Sequence, residues 1–259
     1  MTDPAAGVRV IPCLLLQGTG FVKTTRFQKP VYLGDPVNIV KLFNDMEVDE
    51  LGILDIRASA EGRGPSFDLL KHIADNAFMP LSYGGGLKDL EAIRRILAAG
   101  YEKVIINTAA FENPRLITDA ARIAGSQSIV VSMDVKRSLL GRYEVYAAGG
   151  RRPTKCEPVA FARRMEELGV GEILLTAIDR DGTMAGYDTA LIRMVSEAVR
   201  IPVIACGGAG GTADFARAVR EGGASAVAAA SLFVFHGPRR AVLISFPTRQ
   251  EFEDAFRSP

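Results

Sequence analysis

No tryptophan occurs in this 259-residue chain, and only three cysteines do. Without tryptophan there is no stacking platform of the kind that holds single-stranded nucleic acid. Cys13, Cys156 and Cys206 are too few and too scattered for a disulfide framework, and their spacing matches no zinc pattern. Two of them fall in strand-like runs, where cysteine serves as a small core residue. An excess of either charge is also missing. Lys and Arg number 31 against 30 Asp and Glu, a net charge of +1, which leaves no electrostatic footprint for nucleic acid. The densest basic stretches, Arg151–Lys155 and Arg239–Arg240, are short. Solvated charge is the simpler reading of both; a phosphate or an acidic partner is the sharper one. No apolar run reaches the ~18 residues of a membrane span. The opening MTDPAAGVRV carries an aspartate, no basic region and no cleavable apolar stretch, so an unprocessed cytoplasmic chain is expected.

What the chain does have is apolar residues in quantity (48%) and glycine in two matching places. In Ile201–Gly211, IPVIACGGAGG, a short apolar run enters a glycine cluster and then a helical pattern. Backbone N–H groups unshielded by side chains then stand at a helix N-terminus, which favours an anion and most often a phosphate. A tight turn needing glycine only for its backbone angles is the plainer alternative. The second loop, Pro80–Gly86 (PLSYGGG), sits in the same context.

Short apolar runs alternate with amphipathic ones from end to end. Strands are expected at Val8–Leu16, Glu50–Ile56, Pro80–Tyr83, Lys103–Asn107, Ile129–Asp134, Glu172–Ala177, Pro202–Cys206 and Ala226–Ala230. Helices are expected at Pro36–Met46, Phe67–Ala77, Asp89–Ala99, Pro114–Gly125, Pro158–Leu168, Thr189–Val199 and Ala213–Glu221. Asp35-Pro36 and Asn113-Pro114 read as an N-cap followed by proline, and Gly100, Gly125, Gly169 and Gly222 as helix ends. Eight strands in βα alternation predict a single-domain (β/α)8 TIM barrel over residues 1–259, in preference to an open doubly wound sheet. The halves also resemble each other: Asp49–Ser59 answers Gly171–Gly182, and Leu81–Ala110 answers Val203–Leu232. A two-fold half-barrel repeat would set two phosphate sites on opposite sides of one mouth. One insertion interrupts the pattern. Ser138–Cys156, after the fifth strand, has alternation in RYEVY and a Gly-Gly turn signal, and predicts a β-hairpin on the catalytic face.

In such barrels the working residues project from C-terminal strand ends. Asp134 ends an apolar strand, where a carboxylate is costly without a reason to be there. A helix cap or an ion pair with Lys136 or Arg137 is the plainer account. Asp55, Asp179 and Asp181 also fit caps of the following helices. Lys23, in a predicted loop with Thr24 and Thr25, fits either phosphate neutralisation or simple solvation. At the opposite strand ends, Arg9, Glu50, Lys103 and Glu172 each precede an apolar run. Solvated strand starts and a salt-bridged ring closing the floor both fit that pattern.

IPCL, GDPV, DELGILDI, GGG, KVIINTAAFENP, GSQSIVVSMDVKR, GEILLTAIDRDGTMAGYD and IACGGAG, spread over nearly the whole chain, together resemble the cyclase subunit of imidazole glycerol phosphate synthase, the HisF family. The resemblance implies a (β/α)8 barrel with a glutaminase subunit on its N-terminal face. Ammonia from that subunit would cross a gate of four charged residues, here Arg9, Glu50, Lys103 and Glu172, to reach a phosphorylated small molecule. It implies phosphate loops at Gly84–Gly86, Asn107-Thr108, Gly207-Gly208 and Ala230-Ser231. The substrate contacts expected are thus Lys23, Asp55, Gly85, Gly86, Asn107, Thr108, Thr176, Asp181, Gly182, Gly207, Gly208, Ala230 and Ser231, with Asp134 catalytic and neither metal nor cofactor.

The departure from the family is as informative. Its cyclase uses two aspartates, ending the first and fifth strands; Asp134 matches the second, but the first falls on Leu15. Losing a positioned acid or base typically removes ~10²–10⁴-fold in rate, and Leu14 and Leu16 offer no substitute. The start (Cys13–Leu16, Val22–Thr24, Phe27, Pro30, Tyr32, Gly34–Pro36) and the tail (Phe233–Pro247) are similar to a paralogous branch of surface-polysaccharide biosynthesis. That branch implies a further partner, an ATP-using amidotransferase, which converts an acetamido group on a nucleotide sugar to an acetamidino group.

Overall fold

A computed structural model describes residues 7–138 and 140–257. The expectation drawn from the first six residues, and Leu139 within the predicted insertion, lie outside the described residues. Among the described residues eight parallel strands close on one another: β1 (Arg9–Gln17), β2 (Leu51–Asp55), β3 (Leu81–Gly84), β4 (Lys103–Ile106), β5 (Ile129–Arg137), β6 (Glu172–Ala177), β7 (Val203–Cys206) and β8 (Ala226–Ala229). Each pairs with its neighbour in chain order, β8 returns to pair with β1, and the order holds through β5–β6. This is a (β/α)8 barrel, not an open sheet. Closure buries both faces of each strand, which is why the strands read as nearly continuous apolar runs. Alternation sorts them: Ile11, Cys13, Ile105, Val130, Leu174, Ile204 and Ala228 fill the interior. Leu14, Leu16, Ile53, Val104 and Val131 pack among the helices.

The helices are α1 (Pro36–Asp45), α2 (Phe67–Ala74), α3 (Leu90–Ala98), α4 (Arg115–Ala124), α5 (Pro158–Glu167), α6 (Thr189–Ser196), α7 (Thr212–Arg220) and α8 (Arg249–Arg257). Asp35 caps α1 by accepting from the Asn38 N–H at 3.0 Å. Asp89 and Asp188 do the same for α3 and α6. Such caps are worth about 1 kcal/mol each. Asn113 makes no such cap; it ends the short helix Thr108–Glu112, and Pro114 takes the helical conformation itself. Gly100, Gly125 and Gly169 follow their helices with positive φ, but after α7 that role falls to Gly223 rather than Gly222. None of these helices is long and apolar enough to cross a membrane.

Three additions interrupt the βα alternation. Lys23 and Thr24 do not lie in a loop: Gly20–Thr25 is a strand, antiparallel to β1 and to Gln28–Gly34. β5 continues beyond Asp134 to Arg137 because Tyr143–Ala147 pairs antiparallel with it, Asp134 opposite Tyr146, and Arg152–Pro153 pairs with that strand in turn. After β8 come the short helix Ser231–Val234, a hairpin of Phe235–His236 with Ala241–Val242, and α8. α8 lays Phe252 against Phe215 of α7, ring centroids 6.4 Å apart, and was not legible as a helix beforehand.

Candidate active site

The C-terminal strand ends surround a cavity of about 160 Å³, and Asp134 with every substrate contact that the resemblance implies lines it. The loops after β3 and β7 stand four strands apart in the closed order, so the two glycine clusters face each other across the mouth.

Asp134 is buried on β5 and paired with neither Lys136 nor Arg137. Ser132 Oγ donates to its Oδ1 at 3.1 Å, and Asn107 Nδ2 to its Oδ2 at 3.3 Å. Burial pushes the carboxyl up to about 7; the Ser132 hydrogen bond opposes that rise and the nearby Asp181 charge adds to it. A carboxyl poised near neutral pH both gives and takes a proton. Thr176 lies opposite it in the β5–β6 register.

Lys23 is 3% exposed and holds Asp181 through Nζ at 2.9 and 3.0 Å, so both are committed to a buried ion pair rather than to solvent or a helix cap. Asp55 is likewise engaged. It accepts from the Arg57 and Ala58 N–H groups at 3.0 Å and pairs with both terminal nitrogens of Arg63. Its place is to fold the β2 loop beside the cavity. Asp179 accepts the Arg137 N–H and does not line the cavity. On β1, Leu15 faces the cavity between Cys13 and the Lys23 strand, and that strand end brings no carboxylate. The neighbouring Cys206 thiol and then burial push the Cys13 thiol well up, so it lines the barrel as a neutral group.

The glycines serve the packing of the loops. A Cβ on Gly85 would lie 2.6 Å from the Asp55 carbonyl, and one on Gly208 2.3 Å from that of Gly186. Both have φ above +120°, which side chains rarely adopt. The Gly210 N–H is taken by Asp214 at 2.7 Å. Thr108 Oγ accepts from the Ala148 N–H at 3.1 Å, tying the post-β5 strand to the mouth.

At the other end of the barrel the four charged strand starts meet. Arg9 reaches Glu50 and Glu172 at 2.6 Å each; Lys103 reaches the same two at 2.9 and 3.1 Å. The result is a closed ring of alternating sign, with the two glutamates only 6% and 12% exposed. Solvated strand starts are therefore ruled out. Burial alone would lower the Arg9 guanidinium, but Glu172 and Glu50 outweigh it and hold it above its ordinary range. Immediately above the ring is a small void of about 10 Å³, lined by Glu50, Ser82 and otherwise apolar residues. Cys13 and Ile105 border both this void and the mouth cavity.

Residues 9–237 match the family model described as histidine biosynthesis protein. The chain belongs to that family. Within it, the chain is similar to HisF-type subunits. One relative, provisionally named imidazole glycerol phosphate synthase subunit hisF2, from Pseudomonas aeruginosa, is 50% identical over 92% of this chain and 95% of its own. Another, provisionally named subunit HisF, from Leptospira interrogans, is 45% identical over 96% and 98%. The imidazole glycerol phosphate synthase subunit HisF of Alkaliphilus metalliredigens is 49% identical over 88% and 90%.

Several residues of this HisF-family site escaped sequence reading. Ser132, two residues before Asp134 on the same face of β5, was findable from the strand period alone. Arg63 carried no signal and Thr24 only its place beside Lys23; their positions depend on a loop and a strand that only folding brings to the mouth.

Proposed function

We infer that this HisF-family chain is the synthase subunit of a glutamine amidotransferase system. A HisH-like glutaminase docks on the N-terminal face and releases ammonia at the charged ring. Ammonia crosses the ring and the void above it and emerges at the mouth, where phosphate groups of a substrate lie on the loops ending in Gly85-Gly86, Asn107-Thr108, Gly207-Gly208 and Ala230-Ser231. From there it serves amidination of an acetamido nucleotide sugar, the bond-forming step belonging to an ATP-using amidotransferase partner.

The observation that carries this reading is the pairing of a complete floor with an incomplete mouth. The ring keeps all four members, which ammonia passage needs. The mouth has Asp134 near neutrality but Leu15 where a second acid would stand, and Asp181 is held by Lys23. Cyclisation to imidazole glycerol phosphate needs both an acid and a base; delivery of ammonia needs neither. The poised Asp134 favours a second reading, the cyclase of histidine synthesis working with one aspartate. A third, an ammonia conduit and docking scaffold without chemistry of its own, keeps the floor and leaves Asp134 idle.

Product analysis separates the cyclase reading from the other two. With its glutaminase and the histidine-pathway intermediate, the unmodified protein is expected to form no imidazole glycerol phosphate at the ~1–10³ per second of ordinary enzymes. Leu15→Asp is expected to raise cyclisation measurably. Turnover in that range by the unmodified protein would replace the amidination reading with the cyclase one.

A further inference from the structure

Three buried side-chain polar atoms lack a hydrogen-bond partner among the described residues, and two of them belong to residues that touch one glycine, Gly182. The first is the hydroxyl of Thr24, a residue 3% exposed whose carbonyl approaches so closely that a Cβ on Gly182 would lie 2.5 Å from it. The second is Nε of Arg240, whose Nη2 donates to the Gly182 carbonyl at 2.9 Å and to Ser231 Oγ at 3.3 Å. Thr24, Gly182 and Ser231 all line the mouth cavity.

Arg240 arrives from outside the barrel, at the end of the turn joining Phe235–His236 to Ala241–Val242. Its φ is +52°, with its N–H bonded to the Gly237 carbonyl at 3.0 Å. A non-glycine residue in that conformation is strained and is held there by its surroundings. The guanidinium packs 4.7 Å over the Phe235 ring, which fixes its direction. Unlike Lys23 and Arg63 at the same mouth, which Asp181 and Asp55 neutralise, Arg240 makes only neutral contacts among the described residues: a carbonyl, a hydroxyl and a ring. A buried N–H without an acceptor is costly. An anion beside Gly182 and Ser231 would relieve that cost, pair the Arg240 charge and give the Thr24 hydroxyl a partner.

We propose that Arg240 and Thr24, with Gly182 and Ser231, form the binding site for one phosphate group of the substrate, Arg240 supplying its positive charge. This rests on the reading of the mouth as a phosphate-taking site and adds two residues that lie outside its glycine loops. Arginine suits the task because its fork of donors matches phosphate geometry.

The test is titration of the isotopically labelled full chain with inorganic phosphate at fixed ionic strength, following the amide resonances of Gly182 and Ser231. Arg240→Ala is expected to weaken binding by about tenfold or more, the scale of a lost charge-assisted hydrogen bond. Thr24→Val is expected to weaken it less, and Arg240→Lys to fall between wild type and Arg240→Ala. Thermal melts check folding, and should Arg240→Ala fail to fold, the other two variants decide. Unchanged affinity in the folded variants overturns this assignment and leaves the phosphate-taking mouth standing. Absence of any phosphate response in the unmodified protein overturns both.

Discussion

Asp134 shows how one buried group ties stability to chemistry. Its carboxyl sits near 7 rather than the ordinary 3.8 because burial disfavours the charged form. A carboxyl raised in the folded state binds its proton more tightly there than in the unfolded chain. Stability therefore falls as pH rises from about 4 to about 7, and the full penalty is present above that window. Asparagine keeps the shape and is neutral throughout, with an oxygen left to accept from Ser132 or Asn107. Asp134→Asn is thus expected to be more stable than the unmodified protein at pH 8, with an advantage that shrinks by ~1–3 kcal/mol on going to pH 4.5. Urea unfolding at the two pH values measures this. An advantage equal at both would mean that the carboxyl stays ionised across the range.

At the scale of elements, the mouth is assembled from loops that touch through glycine. Gly208 follows β7 with φ +123°, and its missing Cβ would meet the Gly186 carbonyl in the loop after β6. Gly208→Ala is expected to cost on the order of 1–3 kcal/mol in backbone strain, and to push the two loops apart. Gly211, three residues on, has extended backbone and open space around it, so Gly211→Ala serves as the control and is expected to cost less, only the loss of a favourable N-cap residue. Denaturant midpoints of the pair test this, and equal midpoints would mean that the loops have slack. The Gly20–Thr25 hairpin is an element of the same kind. Its turn places Arg26 and Phe27 at φ +52° and +61°, a conformation ordinarily written with Asn-Gly or Gly-Gly. No turn residue marks it, so the sequence there reads as a loop.

For the whole molecule the telling feature is the floor. Replacing buried ion networks with apolar residues is often neutral or stabilising, so stability by itself does not account for the ring. Lys103→Met removes one cation while Arg9 still holds both glutamates. The variant is expected to fold, to bind the glutaminase, and to hydrolyse glutamine without delivering ammonia to the acceptor at the mouth. Comparing glutamate formed with product aminated, in the reconstituted system, gives the coupling ratio. A ratio unchanged from the unmodified protein would make the ring a structural closure and the barrel a scaffold.

The sequence by itself determined the barrel. Each apolar run and each amphipathic stretch is a local pattern that names the surface to be buried, and eight repeats of it leave few ways to bury them all. Glu172–Ala177 is a strand to the residue, and the apolar stripe of α6 (Leu191, Ile192, Val195) was visible at helical spacing. The four charges of the floor and the carboxylate of β5 were also legible as oddities at strand ends. Tertiary structure alone decided what those oddities mean. Whether Arg9 meets Glu172, 163 positions away, depends on closure and strand stagger, which no local pattern contains. The same holds for Lys23 against Asp181, for the burial that raises Asp134, and for Arg240 reaching Gly182 from a hairpin beyond the last barrel strand. Local periodicity fixes which side of an element turns inward; only closure of the barrel fixes what it finds there.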